Sequence, residues 1–483
     1  MMMKHDLIVA VATALSPAAV SVIRLSGKGA ALAAGKIFQA YSGVPVPALP
    51  PRVLTAGKIE SGCARDEALC VLFPEGHSFT GEESAEFHCH GGVALTLAVV
   101  EELKKHGARQ AEAGEFTKRA FLNGKLDLTK AEGIADLIEA ECDAELRAGG
   151  HLLAGALKKF CAEKLNLLTE ILAECDAATD YPDEYDGENL RSRTAAALRE
   201  ILKETETLLS SYNTGRLIKD GVQCVITGEA NVGKSSLLNA LTKTERAIVT
   251  DAPGTTRDLL TETIVYKGFK IHLTDTAGLR EAESLPEKIG IERAQKAAAG
   301  ADAVLEVFDS GQRSVVNGQL KGTENREQVM DNGQLKEQNR NRALCIVHCA
   351  LKNHIRVHNK SDLLSDKEKS ELRRSPFSAL DSVIVSAKTG ENLDKLLDMI
   401  LEKAAVTDFT GGLILTTVRQ RDAVKRAADA LTRASADLIG SSVPLDVAYT
   451  DIKDAWTAFG AVTGVATPET IIDTLFSRFC VGK

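Results

Sequence analysis

Gly228-Glu-Ala-Asn-Val-Gly233-Lys234-Ser235 is the stretch on which the fold of this 483-residue chain turns. Two glycines five positions apart, followed by lysine and serine, have the spacing of a phosphate-binding loop. The apolar run Val222 to Thr227 predicts a buried strand before it, and Ser236 to Leu241 opens a helix after it, which is the context the motif requires. Glycines let backbone N–H groups wrap phosphate oxygens, and the helix N-terminus adds a positive dipole end. Asn231, Val232, Gly233, Lys234, Ser235 and Ser236 are thereby expected to hold phosphates, with Lys234 on the outer phosphates and the Ser235 hydroxyl on magnesium.

Four further signals follow in the order a guanine-nucleotide hydrolase needs. Thr250, Asp251, Ala252, Pro253, Gly254, Thr255 and Thr256 form a polar loop, in which Thr256 can supply a second magnesium hydroxyl. Thr261 to Tyr266 and Phe269 to Thr274, around Lys267-Gly268, predict a hairpin that delivers Asp275, Thr276, Ala277 and Gly278. Asn359-Lys360-Ser-Asp362 is the guanine reader: a carboxylate at Asp362 accepts from the ring N–H and the exocyclic amine, an edge adenine lacks. Val383 to Val385 then leads as a strand to Ser386, Ala387 and Lys388, which support the base. Leu279 stands where a water-positioning glutamine often sits, so Glu287 is the nearest acidic candidate to orient the attacking water. Asn231 suggests a monovalent-cation ligand, with loop carbonyls from Thr250 to Thr255 completing a potassium site in place of an arginine finger.

The chain is too long for one core, so two to four domains are expected. No run of eighteen apolar residues predicts a membrane span, and Met1 to Ala14 reads as a strand rather than a signal peptide. A net charge of −9 argues against bulk nucleic-acid attraction and leaves any such contact to local patches. The ten cysteines show no disulfide spacing, and Cys70, Cys161, Cys175 and Cys224 lie among apolar residues, as in a reducing, cytoplasmic setting. Cys345, His348, Cys349, His354 and His358 fit no two-plus-two zinc spacing, and His88 and His90 share one face of a strand in packing or ligand contact.

Outward from the loop, the expected fold class is multidomain α/β. Residues 1–119 read as a mixed α+β domain with strands at Leu7–Val11, Val20–Leu25 and Glu67–Phe73, and helices over Ala30–Gln39 and up to His106. Residues 120–215 are helical: Ile134, Leu137, Ile138, Cys142 and Leu146 share one face, and Leu157, Cys161, Leu165, Leu168, Leu172 and Cys175 another. Asp180-Tyr-Pro-Asp-Glu184 breaks that run, and a third helix covers Leu190 to Tyr212. The texture returns in 404–483, where Val424, Ala427, Leu431, Ala434 and Leu438 align. One helical domain interrupted by a Ras-like P-loop GTPase domain at 216–403 is the economical reading; two separate bundles are the alternative.

With those residues assembled, the chain resembles the MnmE (TrmE) family of tRNA-modification GTPases over nearly its whole length. The resemblance is carried by Ile23-Arg24-Leu-Ser-Gly27, Phe79-Thr-Gly-Glu82, His88-Cys-His-Gly-Gly92, the run Gly114 to Leu128, Ile-Gly-Ile-Glu-Arg293 and Phe479-Cys480-Val-Gly-Lys483. It implies a homodimer through the first domain, which binds a tetrahydrofolate one-carbon donor (5,10-methylene- or formyl-tetrahydrofolate) at Arg24, Glu86, Lys125 and Lys483. It implies potassium-stimulated GTP hydrolysis with Asn231, Thr250, Ala252 and Thr255 on potassium, Ser235 and Thr256 on magnesium, and Glu287 orienting water. Cys480 matches a cysteine needed for modification. The implied partner is the flavin-dependent MnmG (GidA) protein, in a heterotetramer that puts an aminomethyl or carboxymethylaminomethyl group on carbon 5 of the tRNA wobble uridine. A non-modifying GTPase switch in ribosome assembly is the competing class, though it has no use for Cys480 or the folate residues.

The chain departs from that pattern in two places. Ala230 stands where proline is common, and a polar stretch at about 311–354 repeats Asn-Gly-Gln-Leu-Lys at 317–321 and 332–336. It reads as a surface insertion. Ala343–Ala350 and Ile355–His358 then compete to be the strand before Asn359.

Overall fold

The computed structural model describes residues 6–482 except 63, 230, 244–247, 250–260, 276–299, 311–352, 375–380, 407–411, 440–444, 466, 467 and 478. It divides into two compact units: Met1–Ala135, Leu152–Glu206 and Asp422–Lys483 form one, Asp136–His151 and Thr207–Arg421 the other.

The first unit begins with β1 (Ile8–Val11), β2 (Ala18–Ser26), α1 (Ala30–Ala34), β3 (Phe38–Ala40), β4 (Thr55–Ser61), β5 (Ala64–Phe73), β6 (Ser84–Gly91), α2 (Val93–Lys105), β7 (Arg109–Gln110) and α3 (Glu115–Leu122). The strands make one sheet in the order β3-β4-β5-β6-β2-β1-β7. Strand alternation sends Ile23, Leu25, Phe87 and Cys89 into the core with Val99, Val100 and Leu103 of α2. On the opposite face Ala10, Arg24 and Glu86 stand in one row across β1, β2 and β6. There Phe116 of α3 packs on Ile8 and Ala10. The helix expected over Ala30–Gln39 stops at Gly35, which has Val46 against it at 3.4 Å from a would-be Cβ, and Phe38–Ala40 is strand instead.

Helices continue as α4 (Leu128–Glu139), α5 (Asp143–Leu153), α6 (Ala156–Asp180), α7 (Gly187–Ser210) and α8 (Tyr212–Asp220). The face drawn through Ile134 and Leu146 is thus shared by two helices. The chain breaks at Ala140–Cys142, and the Glu145 carboxylate takes the N–H groups of Glu141 (2.6 Å) and Cys142 (3.3 Å) to start α5. The third helix likewise ends at Ser210 and restarts as α8. There Gly215 approaches Leu415 so closely that a Cβ would lie 2.0 Å from its carbonyl oxygen.

In the second unit lie β8 (Val222–Gly228), α9 (Lys234–Thr242), β9 (Ile248–Val249), β10 (Thr261–Tyr266), β11 (Phe269–Asp275), β12 (Ala303–Asp309), β13 (His354–Asn359), α10 (Asp366–Arg374), β14 (Ser382–Ile384) and α11 (Leu393–Lys403). The sheet order is β14-β13-β12-β8-β11-β10-β9. The β14-β13-β12-β8-β11 pairings are parallel, and β10–β11 is the expected hairpin, with Lys267 (φ 50°) and Gly268 (φ 82°) making the two-residue turn. Ile355–His358 is the strand before Asn359; Ala343–Ala350 lies outside the described residues. The chain ends with α12 (Val418–Ile439), α13 (Leu445–Thr463) and α14 (Glu469–Phe476). Within the first unit α13 packs on α6: Phe459 meets Phe160 edge-on, and the Trp456 indole donates to Thr169 Oγ1 at 3.0 Å.

Candidate functional site

The parallel strands β8, β12, β13 and β14 end together, where loops of an open α/β sheet gather around a ligand. At the end of β8, Gly228 (φ 146°) passes Val307 so closely that a Cβ would sit 2.5 Å from its carbonyl oxygen. Gly233 (φ 94°) starts α9, and a Cβ there would strike the Asn359 side chain. The loop's left-handed turn also takes in Asn231 (φ 66°). Lys234 is buried, and its ammonium donates to the carbonyls of Gly228 (3.1 Å) and Glu229 (2.7 Å), which holds one positive charge inside the loop. The Ser235 hydroxyl donates to Asp275 Oδ2 at 2.9 Å, so one of the two expected magnesium ligands meets the buried carboxylate that ends β11; the other, Thr256, lies outside the described residues. A hydroxyl beside a buried carboxylate at the head of a phosphate loop fits magnesium.

On the base side, Asn359 is the hub. Its Nδ2 donates to Val232 O (3.1 Å), and its Oδ1 accepts the N–H of Ala387 (3.1 Å). The Ser386 hydroxyl donates to Asp362 Oδ1 at 2.6 Å, and this bond is the main reason the Asp362 carboxyl is held below its ordinary value. Lys360 (φ 63°) reaches back to Asn231 O (3.0 Å) and to Asp309 Oδ2 (2.6 Å). Asp309 is absent from the expectations above, as is Glu391, which receives Ser361 Oγ and Lys369 Nζ. The available signal was only that Asp309 closes the mostly apolar run Ala303–Phe308; its place opposite Asn359 comes from the strand register.

Thr250, Asp251, Ala252, Pro253, Gly254, Thr255, Thr256, Thr276, Ala277, Gly278 and Glu287 lie outside the described residues, as do Ala230 and Lys483. Lys388 and Ser236 are described in the expected loop and helix.

A second constellation lies on the first unit. Arg24 Nε donates to Glu86 Oε1 at 2.7 Å, and its guanidinium sits over the rings of Phe79 (5.6 Å) and Phe116 (5.8 Å). His88 Nε2 is 3.8 Å from Glu86 Oε2, while His90 pairs with Asp66. Lys125 donates to Gly76 O at 2.8 Å and packs on Gly81, beside the Phe79 turn. The C-terminal segment packs beside the start of α3 and the end of β1: Val481 bridges Ala113, Gly114 N donates to Cys480 O, and Gly482 lies against Val11. Cys480 is exposed, whereas Cys70, Cys89 and Cys224 are core residues; burial pushes the Cys70 thiol up to about 12. The two aromatic rings flanking Arg24 are a feature that residue spacing does not announce. Among the described residues no cluster of three His, Cys, Asp or Glu could hold a metal ion, and no helix is long and apolar enough to cross a membrane.

The glycine loop between β8 and α9, its buried lysine and the Asn359–Asp362 loop tied to it lie at the same end of a parallel sheet, and the second unit is a P-loop GTPase domain. The comparisons narrow this. Residues 7–125 match the family model described as GTP-binding protein TrmE N-terminus, and 128–480 that of the MnmE helical domain. The tRNA modification GTPase MnmE of Symbiobacterium thermophilum is 37% identical, and that of Carboxydothermus hydrogenoformans 35%, each over 100% of both chains. Among solved structures, the chain is similar to the G domain of the T. maritima FeoB iron transporter, 27% identical over 38% of this chain and 98% of that one, with a TM-score of 0.24. The chain belongs to the MnmE (TrmE) family.

Proposed function

We propose that this protein hydrolyses GTP, with magnesium and potassium, to drive modification of carbon 5 of the tRNA wobble uridine together with a protein partner. The partner is the flavin-dependent MnmG protein, bound to a homodimer of this chain, and the one-carbon unit comes from a tetrahydrofolate. The observation that carries the folate reading is the Arg24–Glu86 pair set between Phe79 and Phe116, with Cys480 on a segment docked at the start of α3 and the end of β1. A pterin is flat, aromatic and rich in N–H donors, so it suits aromatic flanks and a carboxylate acceptor. Lys125 and Lys483 would meet the carboxylates of the folate tail.

In the nucleotide unit, Lys234 neutralises charge on the outer phosphates, and Ser235 and Asp275 hold magnesium with Thr256. Asp362 accepts from the guanine edge, and Asn359 keeps the base loop at the phosphate loop. Asn231, with Thr250, Ala252 and Thr255, supports potassium, which supplies the positive charge an arginine finger gives elsewhere. Glu287 orients water. Exposed Val20, Leu69 and Phe79 border the Arg24 row and suit a partner copy.

Mass spectrometry of tRNA nucleosides from cells with and without the protein tests the function. Loss of the C5-substituted wobble uridine is expected; an unchanged nucleoside profile overturns the proposal.

A further inference from the structure

Helices α6 and α7 enclose an open groove of about 560 Å³ that shares no lining residue with either site already described. Its floor is apolar, formed by Leu167, Ile171, Ala197 and Ile201, and its two rims carry Glu170 and Glu174 on one side and Glu200 and Glu204 on the other. Lys164 pairs with Glu204 and Arg193 with Glu174, so the helices run antiparallel and each rim presents two carboxylates one turn apart. Like charges at that spacing oppose helix formation rather than assist it. Only one carboxylate on each rim is offset: among the described residues neither Glu170 nor Glu200 has an ion pair or hydrogen bond. The four do not converge on a metal position. Their complement is a set of organic cations carried on an apolar stem, spaced at one helical turn along two edges.

We infer that this groove receives an amphipathic helix of a protein partner, with an apolar stripe on the floor and Lys or Arg at i, i+4 along each edge. The inference rests on the partner reading given above and names the surface by which that flavin-dependent protein is engaged. The acidic rims repel a phosphate backbone, so tRNA is not the occupant.

The test measures binding of purified MnmG to the full chain and to Glu170→Gln/Glu200→Gln, at several salt concentrations, beside GTP hydrolysis. Both glutamates are exposed and belong to neither site, so folding and basal hydrolysis stay unchanged. Affinity is expected to fall at least tenfold at low salt, with a shallower salt dependence. Ala197→Arg, which fills the groove floor, is expected to weaken binding without that change in salt slope. Equal affinity and equal slope for all three proteins overturns the groove while leaving the proposed function standing. Failure of MnmG to bind the unaltered chain overturns the partner reading and the groove together. A change confined to tRNA affinity also overturns it.

Discussion

The side-chain amide of Asn359 donates to the carbonyl of Val232 at 3.1 Å, which ties the base-reading strand directly to the phosphate loop. Because its oxygen also accepts from Ala387, three loops are set by one buried side chain. Asn359→Ala leaves a buried carbonyl and a buried N–H unpaired, at about 1–3 kcal/mol each. GDP affinity, read by fluorescence titration, is expected to fall at least tenfold with the fold retained.

Asp362→Asn replaces two acceptors by one acceptor and a donor. GTP binding should weaken by about a hundredfold, and xanthosine triphosphate, with a carbonyl where guanine has an amine, should bind better than GTP. Competition binding decides this. Because the Ser386 hydroxyl lowers the Asp362 carboxyl, the acceptor form persists to lower pH than in an ordinary carboxyl. Guanine affinity is therefore lost at lower pH than it would be with an ordinary carboxyl, and Ser386→Ala should move the loss to higher pH.

Turnover is expected to be faster in potassium than in sodium, and Asn231→Ala to remove the difference. Equal initial rates of phosphate release in both salts would exclude the cation role.

Cys480→Ser should leave GTP hydrolysis near normal while abolishing wobble modification. Arg24→Gln should lose retention of reduced folate, measured by equilibrium dialysis, with hydrolysis likewise intact. Hydrolysis and modification falling in parallel would tie these residues to the nucleotide unit instead.

Arg119 is nearly buried and holds Glu82 (3.0 Å), Glu115 (2.9 Å) and Asp6 (2.8 Å). Arg119→Met leaves Asp6 and Glu115 with Arg109 alone and buried Glu82 with only the Ser26 hydroxyl, and should cost about 3 kcal/mol in urea unfolding. Burial alone raises the Glu115 carboxyl, but bonds from Arg109, the Glu112 amide and Arg119 outweigh it and the net shift is downward. A lowered carboxyl stabilises the fold above its unfolded value and stops doing so as pH falls through its folded value. The acid limb of the stability curve should accordingly move to higher pH in the variant.

Much of this architecture was legible in the residues. The hairpin at Lys267-Gly268 was readable because a two-residue turn with a positive-φ glycine fixes the pairing of its strands. The loop after β8 and the Asn359–Asp362 and Ser386–Lys388 loops at the ends of parallel strands were readable because each is marked by local spacing. The reach of Lys360 to Asp309 was not, since it depends on register between strands far apart in sequence. The break between α4 and α5 escaped for another reason: the apolar period runs through it, and a capping carboxylate, not a proline, marks the restart. The helix of the alanine-rich run ended early at Gly35, and Phe38–Ala40 pairs with β4 instead, a long-range choice that local propensity does not carry.

Cys142, Ala144 and Ala148 lie in the same apolar cluster as Val222, Phe269 and Leu273, and the Ala144 N–H donates to Gly268 O at 3.1 Å. Lys270 adds a 2.6 Å pair with Glu145. The nucleotide unit therefore borrows a wall from chain that precedes it by some seventy residues in sequence. A gene fragment spanning 216–403 would bare that seam to water and tend to aggregate, whereas grafting 136–151 back on should restore a soluble, independently folding nucleotide switch.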